Sequence, residues 1–199
     1  PGRETKKKLN NYLAIIKNPT VILYFFGIFS YVGVEQGVAN WISKFLEIYH
    51  SLNPQNMGAK IISYFWGLMT LGTISGLFLL KIIDSRRILI FFTSASIISL
   101  LISLFGPLKV SLFSFPLIGF FISTMWSIII SLALNSMSNN HGAFSGILVS
   151  GIIGGAVFPL IVGILADFAG LKVGMTLLLI PLLFILSIGF WSRPLVNNK

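Results

Sequence analysis

The chain has 199 residues, of which 55% are hydrophobic and only 10% charged, against about a quarter charged in a soluble globular domain. A chain of this size leaves too much surface in solvent to hide that excess, so a soluble domain is excluded and the expected solvent is the lipid bilayer. The net charge of +9 would suggest nucleic acid in a soluble protein, but the basic residues lie in short segments between apolar runs, the placement that sets membrane topology. No nucleic-acid partner is expected.

Residues 1–18 are polar and basic, with Arg3, Lys6, Lys7, Lys8 and Lys17. They read as a cytoplasmic linker, in part an amphipathic helix on the membrane surface. The chain opens on Pro1 without a signal-peptide pattern, so it reads as a piece of a longer polypeptide whose upstream part is missing. Asn18-Pro19 then marks a helix start, because proline suits a first turn. Six apolar stretches follow, near 20–42, 58–81, 86–106, 110–135, 143–166 and 172–192. Each is long enough to cross roughly 30 Å of hydrocarbon. Asn53-Pro54, Gly106-Pro107, Asn139-Asn140 and Ala169-Gly170 supply the breaks between them. The whole reads as an all-α membrane bundle over 19–194 with a cytoplasmic tail at 195–199.

With the N-terminus inside, the cytoplasmic segments hold Arg3, Lys6, Lys7, Lys8, Lys17, Lys81, Arg86, Arg87, Arg193 and Lys199. The outer loops hold Lys44, Lys60, Lys109 and Lys172. Ten against four places both ends in the cytoplasm. Trp41 and Trp191 fall at expected span ends, where an indole anchors at the interface. Small residues recur at helical spacing, as Gly33/Gly37, Gly72/Gly76 and the run Gly142, Gly146, Ser150, Gly154. Such stripes let helix backbones approach closely.

Glu35 is the acidic residue well inside an expected span, with Tyr31 one turn before it, Gln36 beside it and Asn40 one turn after Gln36. A carboxylate at mid-membrane costs about 2.5–3.5 kcal/mol on insertion scales, so it faces a cavity or a partner. Two roles follow: a hydrogen bond holding helices together, or a place on a solute or proton pathway. With alternating span directions, Trp66, Thr70, Ser123, Thr124 and Trp126 fall near its depth. Aromatic faces beside amide and carboxylate groups suit a sugar, whose C–H face stacks while its hydroxyls bond. Candidate binding residues are therefore Glu35, Gln36, Asn40, Trp66 and Trp126. Asp84, Arg86 and Arg87 form a tight turn, either plain helix-end charges or a latch whose ion pairs exchange during conformational change. His50 and His141 are too few and too scattered for a metal cluster, and cysteine is absent. No phosphate loop, GxSxG or HExxH motif occurs, so an enzyme is not expected.

The stretch Tyr31-Val-Gly-Val-Glu35-Gln-Gly-Val-Ala-Asn40-Trp41, the run from Tyr64 to Gly72, the Asp84-Ser-Arg86-Arg87 turn and Gly154-Gly-Ala-Val-Phe-Pro159 resemble the C-terminal half of a major facilitator superfamily sugar permease. The fucose/glucose/galactose–proton symporter group is the most similar. The resemblance implies transmembrane helices seven to twelve, two inverted three-helix repeats, and a missing N-terminal six-helix half. It further implies proton-coupled uptake of a hexose or 6-deoxyhexose across a bacterial inner membrane. Proton coupling would lean on an acidic residue of the missing half, leaving Glu35 to serve sugar binding. Thr73 stands where many relatives carry arginine, and Ser127 where proline is frequent. The rival readings are a transporter of another solute class and a six-helix component that does not transport.

Overall fold

A computed structural model describes residues 17–137 and 141–192. The expected surface segment before Lys17, the Asn139-Asn140 break, Arg193 and the tail at 195–199 lie outside the described residues. Among the described residues there is no strand, and six helical stretches are long and apolar enough to cross a membrane.

The first span is one helix, α1 (Pro19–His50). Asn18 caps it, its side-chain oxygen accepting from Thr20 N at 2.9 Å, with Pro19 in the first turn, where no N–H is missed. At 32 residues it is about 48 Å long and ends eight residues past the expected 42. Asn53 caps a π-helical turn (Pro54–Gly58) that runs into α2 (Ala59–Ile82). Asp84 then caps α3 (Ser85–Phe105), accepting from Arg86 N at 2.9 Å.

The last three spans are interrupted. The fourth comprises α4 (Leu108–Ile122) and α5 (Met125–Leu134), with a break at Ser123–Thr124. The fifth comprises α6 (His141–Ser150), a 3₁₀ turn (Gly151–Ile153) and α7 (Gly154–Ala169). Gly170, at φ +87°, turns the chain into the sixth span, α8 (Leu171–Thr176) and α9 (Leu179–Trp191). That φ is open to glycine without the steric cost a Cβ brings.

The packing exchanges between halves as an inverted repeat requires. The second span packs on the fourth (α2 on α4), and the fifth packs on the first (α7 on α1). The third packs on the fourth (α3 on α4), and the sixth on the first (α9 on α1). The first span is the most buried, at 61% of its apolar window, and the second the least, at 17%.

Glycines make the close approaches. A Cβ on Gly33 would strike the Phe158 ring, and one on Gly37 would lie 2.7 Å from Leu178 Cδ2. Those on Gly72 and Gly76 would strike Ser123 and Thr124. The fifth-span stripe is different. Gly142 and Gly146 face open space, and Ser150 is exposed. Of the stripe only Gly154 makes a close contact, against Phe29, and Gly151 and Gly155, which lie off it, add Ile28, Val32 and Gln36. The 3₁₀ turn advances the helix by about 120° per residue rather than 100°, so the residues before it and Gly154 after it do not share one straight face.

The two tryptophans expected as interface anchors also make contacts within the bundle. Trp41 Nε1 donates to the Pro159 carbonyl at 3.1 Å, and its ring covers Gly163. Trp191 donates to Ser187 Oγ at 3.1 Å and packs its ring 5.2 Å from that of Tyr24. Trp41 stands nine residues before the end of α1, and Trp191 is the last residue of α9.

Candidate functional site

Glu35 lies 16 residues after Pro19 and 15 before His50, the middle of α1. It is half-buried beside an open cleft of about 650 Å³. Tyr31, Val32, Glu35 and Gln36 form one wall, Trp126 a second, and Ile152, Ile153, Gly155 and Ala156 a third. Three spans thus meet there, at the 3₁₀ turn of the fifth and one residue past the start of α5 in the fourth. Irregular backbone at membrane depth occurs where it is buried or lines a cavity.

Gln36 Nε2 donates to Glu35 Oε1 at 3.0 Å. One carboxylate oxygen and the Gln36 carbonyl oxygen remain as acceptors beside the cleft, a pair matched to a ligand rich in O–H donors. The Tyr31 and Trp126 rings sit 5.9 Å apart, tilted by 59°, and give the cleft an aromatic side. Pro159 has no N–H to offer the Gly155 carbonyl four residues earlier, so a second backbone irregularity adjoins the cleft wall. Trp126 also lines a neighbouring chamber of about 450 Å³ with Ser127, Ile130, Ser131, Leu134 and Asn135. Its polar members, Ser127, Ser131 and the C-cap Asn135, recur every four residues along one face of α5, forming a polar track that starts beside Trp126.

Of the candidate binding residues, Glu35, Gln36 and Trp126 come together. Asn40 is exposed and sits about 6 Å further along α1 than Gln36, outside the cleft lining. Trp66 is 39% exposed and meets the Phe65 ring edge-on at 5.3 Å; its span packs chiefly on the fourth, and it does not line the cleft. Ile152, Ile153, Gly155 and Ala156 were not read as site residues, although the Gly154-Gly155-Ala156 run stood out in the sequence. No periodicity placed them opposite Glu35.

The charged turn lies at the far end. Arg86 Nε is 3.5 Å from Asp84 Oδ1, and Arg86 Nη1 donates to the Ser192 carbonyl at 3.4 Å. Arg86 therefore links the start of the third span to the end of the sixth. Arg87 is exposed. Among the described residues no group of His, Cys, Asp and Glu could hold a metal.

No protein-family profile matches the chain. A glucose/galactose transporter of Brucella abortus biovar 1 (strain 9-941) is 33% identical over 185 residues, covering 90% of this chain and 42% of the relative. A putative glucose/galactose transporter of Helicobacter pylori (strain J99) is 32% identical over 141 residues, covering 71% of this chain and 34% of the relative. Among solved structures, the peptide transporter POT, as a mutant in complex with alafosfalin, superposes with a TM-score of 0.75 at 18% identity, covering 87% of this chain and 38% of that one; at that identity the likeness concerns the fold alone. The chain is an integral membrane homologue of bacterial glucose/galactose transporters, with six membrane-length helices among its described residues folded like part of the peptide transporter POT, and it spans less than half the length of those relatives.

Proposed function

We propose that the chain is the C-terminal half of a secondary active transporter that takes up a hexose or 6-deoxyhexose together with a proton. In this reading both ends of the chain face the cytoplasm of a bacterial inner membrane, and a second six-helix half closes the cleft from the open side. The observation that carries the proposal is the Glu35–Gln36 pair lining one cleft with the Tyr31 and Trp126 rings, at the middle of α1, in a homologue of proteins named glucose/galactose transporters. The free acceptors of Glu35 and Gln36 take sugar hydroxyl protons, while the C–H face of the ring lies against Trp126. Asn40 and Trp66, outside the cleft in this structure, join it only if the second half or a conformational change brings the solute to them. Rocking of the halves exposes the site to each side in turn. The Asp84–Arg86–Ser192 contacts act as a latch on one end of that motion, with Arg87 beside it. The coupling proton sits on an acidic group of the other half, and Glu35 serves the sugar.

The test is uptake of a labelled hexose panel by cells expressing the native polypeptide that contains this chain. Saturable uptake of one sugar, abolished by an uncoupler, is expected. Glu35→Gln removes a charged acceptor worth about 1.5–3 kcal/mol, so uptake falls at least tenfold with unchanged membrane insertion. Uptake of no sugar by the inserted protein moves the reading to another solute class.

A further inference from the structure

A second concavity lies away from the Glu35 cleft, between the second and fourth spans. It is a groove of about 620 Å³ lined by α2 and α4 side chains, including Tyr64, Leu71, Phe113 and Leu117, all substantially exposed. Trp66, on another side of α2, is not among them. On α2 the groove follows Lys60, Tyr64, Gly67, Leu68 and Leu71, at intervals of four, three, one and three residues, a single helical face. On α4, Leu112, Phe113, Pro116 and Leu117 line it, and they follow Lys109 at three, four, seven and eight residues. Each stripe is therefore headed by a lysine, and both lysines stand at the same end, in the first turns of α2 and α4.

That end is cationic. The ion pairs among the described residues are Lys44–Glu47 and Arg86–Asp84, so neither Lys60 nor Lys109 has a carboxylate partner there. Lys60 Nζ instead lies 5.8 Å from the Tyr64 ring. The positive poles of two helix dipoles add to the field at this end. From Lys60 to Leu71 the groove descends eleven residues, about 16 Å, which matches half of a roughly 30 Å hydrocarbon core. We propose that this groove holds one acyl chain of an anionic phospholipid, with Lys60 and Lys109 at its headgroup and Tyr64, Leu71, Phe113 and Leu117 along its tail. The site does not depend on which solute the cleft carries.

Gly67 makes a clean test possible. A Cβ there meets nothing within 4 Å, so Gly67→Leu fills the groove without disturbing the bundle. Lys60→Gln with Lys109→Gln removes the charge at two exposed positions. The native polypeptide is purified in detergent and titrated with dioleoyl phosphatidylglycerol or dioleoyl phosphatidylcholine, with bound lipid counted by native mass spectrometry. The unsubstituted protein binds phosphatidylglycerol about thirtyfold more tightly, as expected of two lysines near a headgroup. The double glutamine variant loses that preference, and Gly67→Leu weakens both lipids. Equal binding of the two lipids by the unsubstituted protein overturns the proposal. So does a preference that survives in the double variant, or lipid binding untouched by Gly67→Leu. A cysteine at position 67 that crosslinks to another segment of the native polypeptide also overturns it, because the groove would then hold protein.

Discussion

The first and second spans have equal mean hydropathy, yet 61% of the first is buried in the bundle and only 17% of the second. Hydropathy decides whether a segment enters the bilayer; it says nothing about where the helix stands among its neighbours. The distribution of small residues does. On α1 the glycines face three different spans: Gly27 meets Ile129 and Ile188, Gly33 meets Phe158, and Gly37 meets Leu178. A helix with clearance on several sides can stand at the centre. On α2, Gly72 and Gly76 both face the fourth span, while Gly67 faces nothing. A helix with one smooth stripe has one close neighbour and sits at the edge.

The comparison can be broken by equalising the glycines. Gly33→Leu drives a side chain into the Phe158 ring and costs about 3 kcal/mol; the expected result is a large loss of monodisperse protein after brief heating in detergent. If that variant survives heating like the unsubstituted protein, the central role of α1 is wrong. A smaller effect is expected from Trp41→Phe, which keeps most of the ring over Gly163 but removes the bond to the Pro159 carbonyl, about 1 kcal/mol. Its melting temperature falls modestly. Tyr49→Phe sharpens the picture at the helix end, deleting the hydroxyl that accepts from Lys172 N at 3.0 Å. That site is exposed, so a shift barely above measurement error is expected. Gly67→Leu, the same change as in the first case but on α2, leaves heat stability within about 0.5 kcal/mol of the unsubstituted protein.

The existence of six spans and the helix starts at Pro19, Pro54 and Ser85 were legible because length, apolarity and the Asn-Pro and Asp caps are local properties. The Glu35–Gln36 pair was legible for the same reason: a carboxylate in an apolar run is conspicuous wherever the run lies. What faces that pair was not legible. Trp126 and Trp66 carried the same signal in the sequence, an indole at matching depth, and only the packing of the second span on the fourth and of the fifth on the first separates them. The apolar run ends near 42, whereas the helix continues to His50 on the strength of Phe45 and Leu46, which are fully buried. The 3₁₀ turn at Gly151–Ile153 had no signature beyond a glycine-rich stretch, which is equally compatible with straight helix packing.

The length of α1 has a mechanical consequence. A rod of about 48 Å tilted by as much as 40°, the upper end of what membrane helices show, still spans about 37 Å against roughly 30 Å of hydrocarbon. At least a turn therefore projects beyond the apolar slab. At the His50 end that projection carries the exposed Lys44–Glu47 pair and the Tyr49 hydroxyl that meets Lys172. Because one unbroken helix connects this stub to Glu35, any swing of the rod about its midpoint is reproduced at its tip with a lever arm of about 22 Å. A probe fixed near Glu47 would read the motion of the cleft from outside the bilayer.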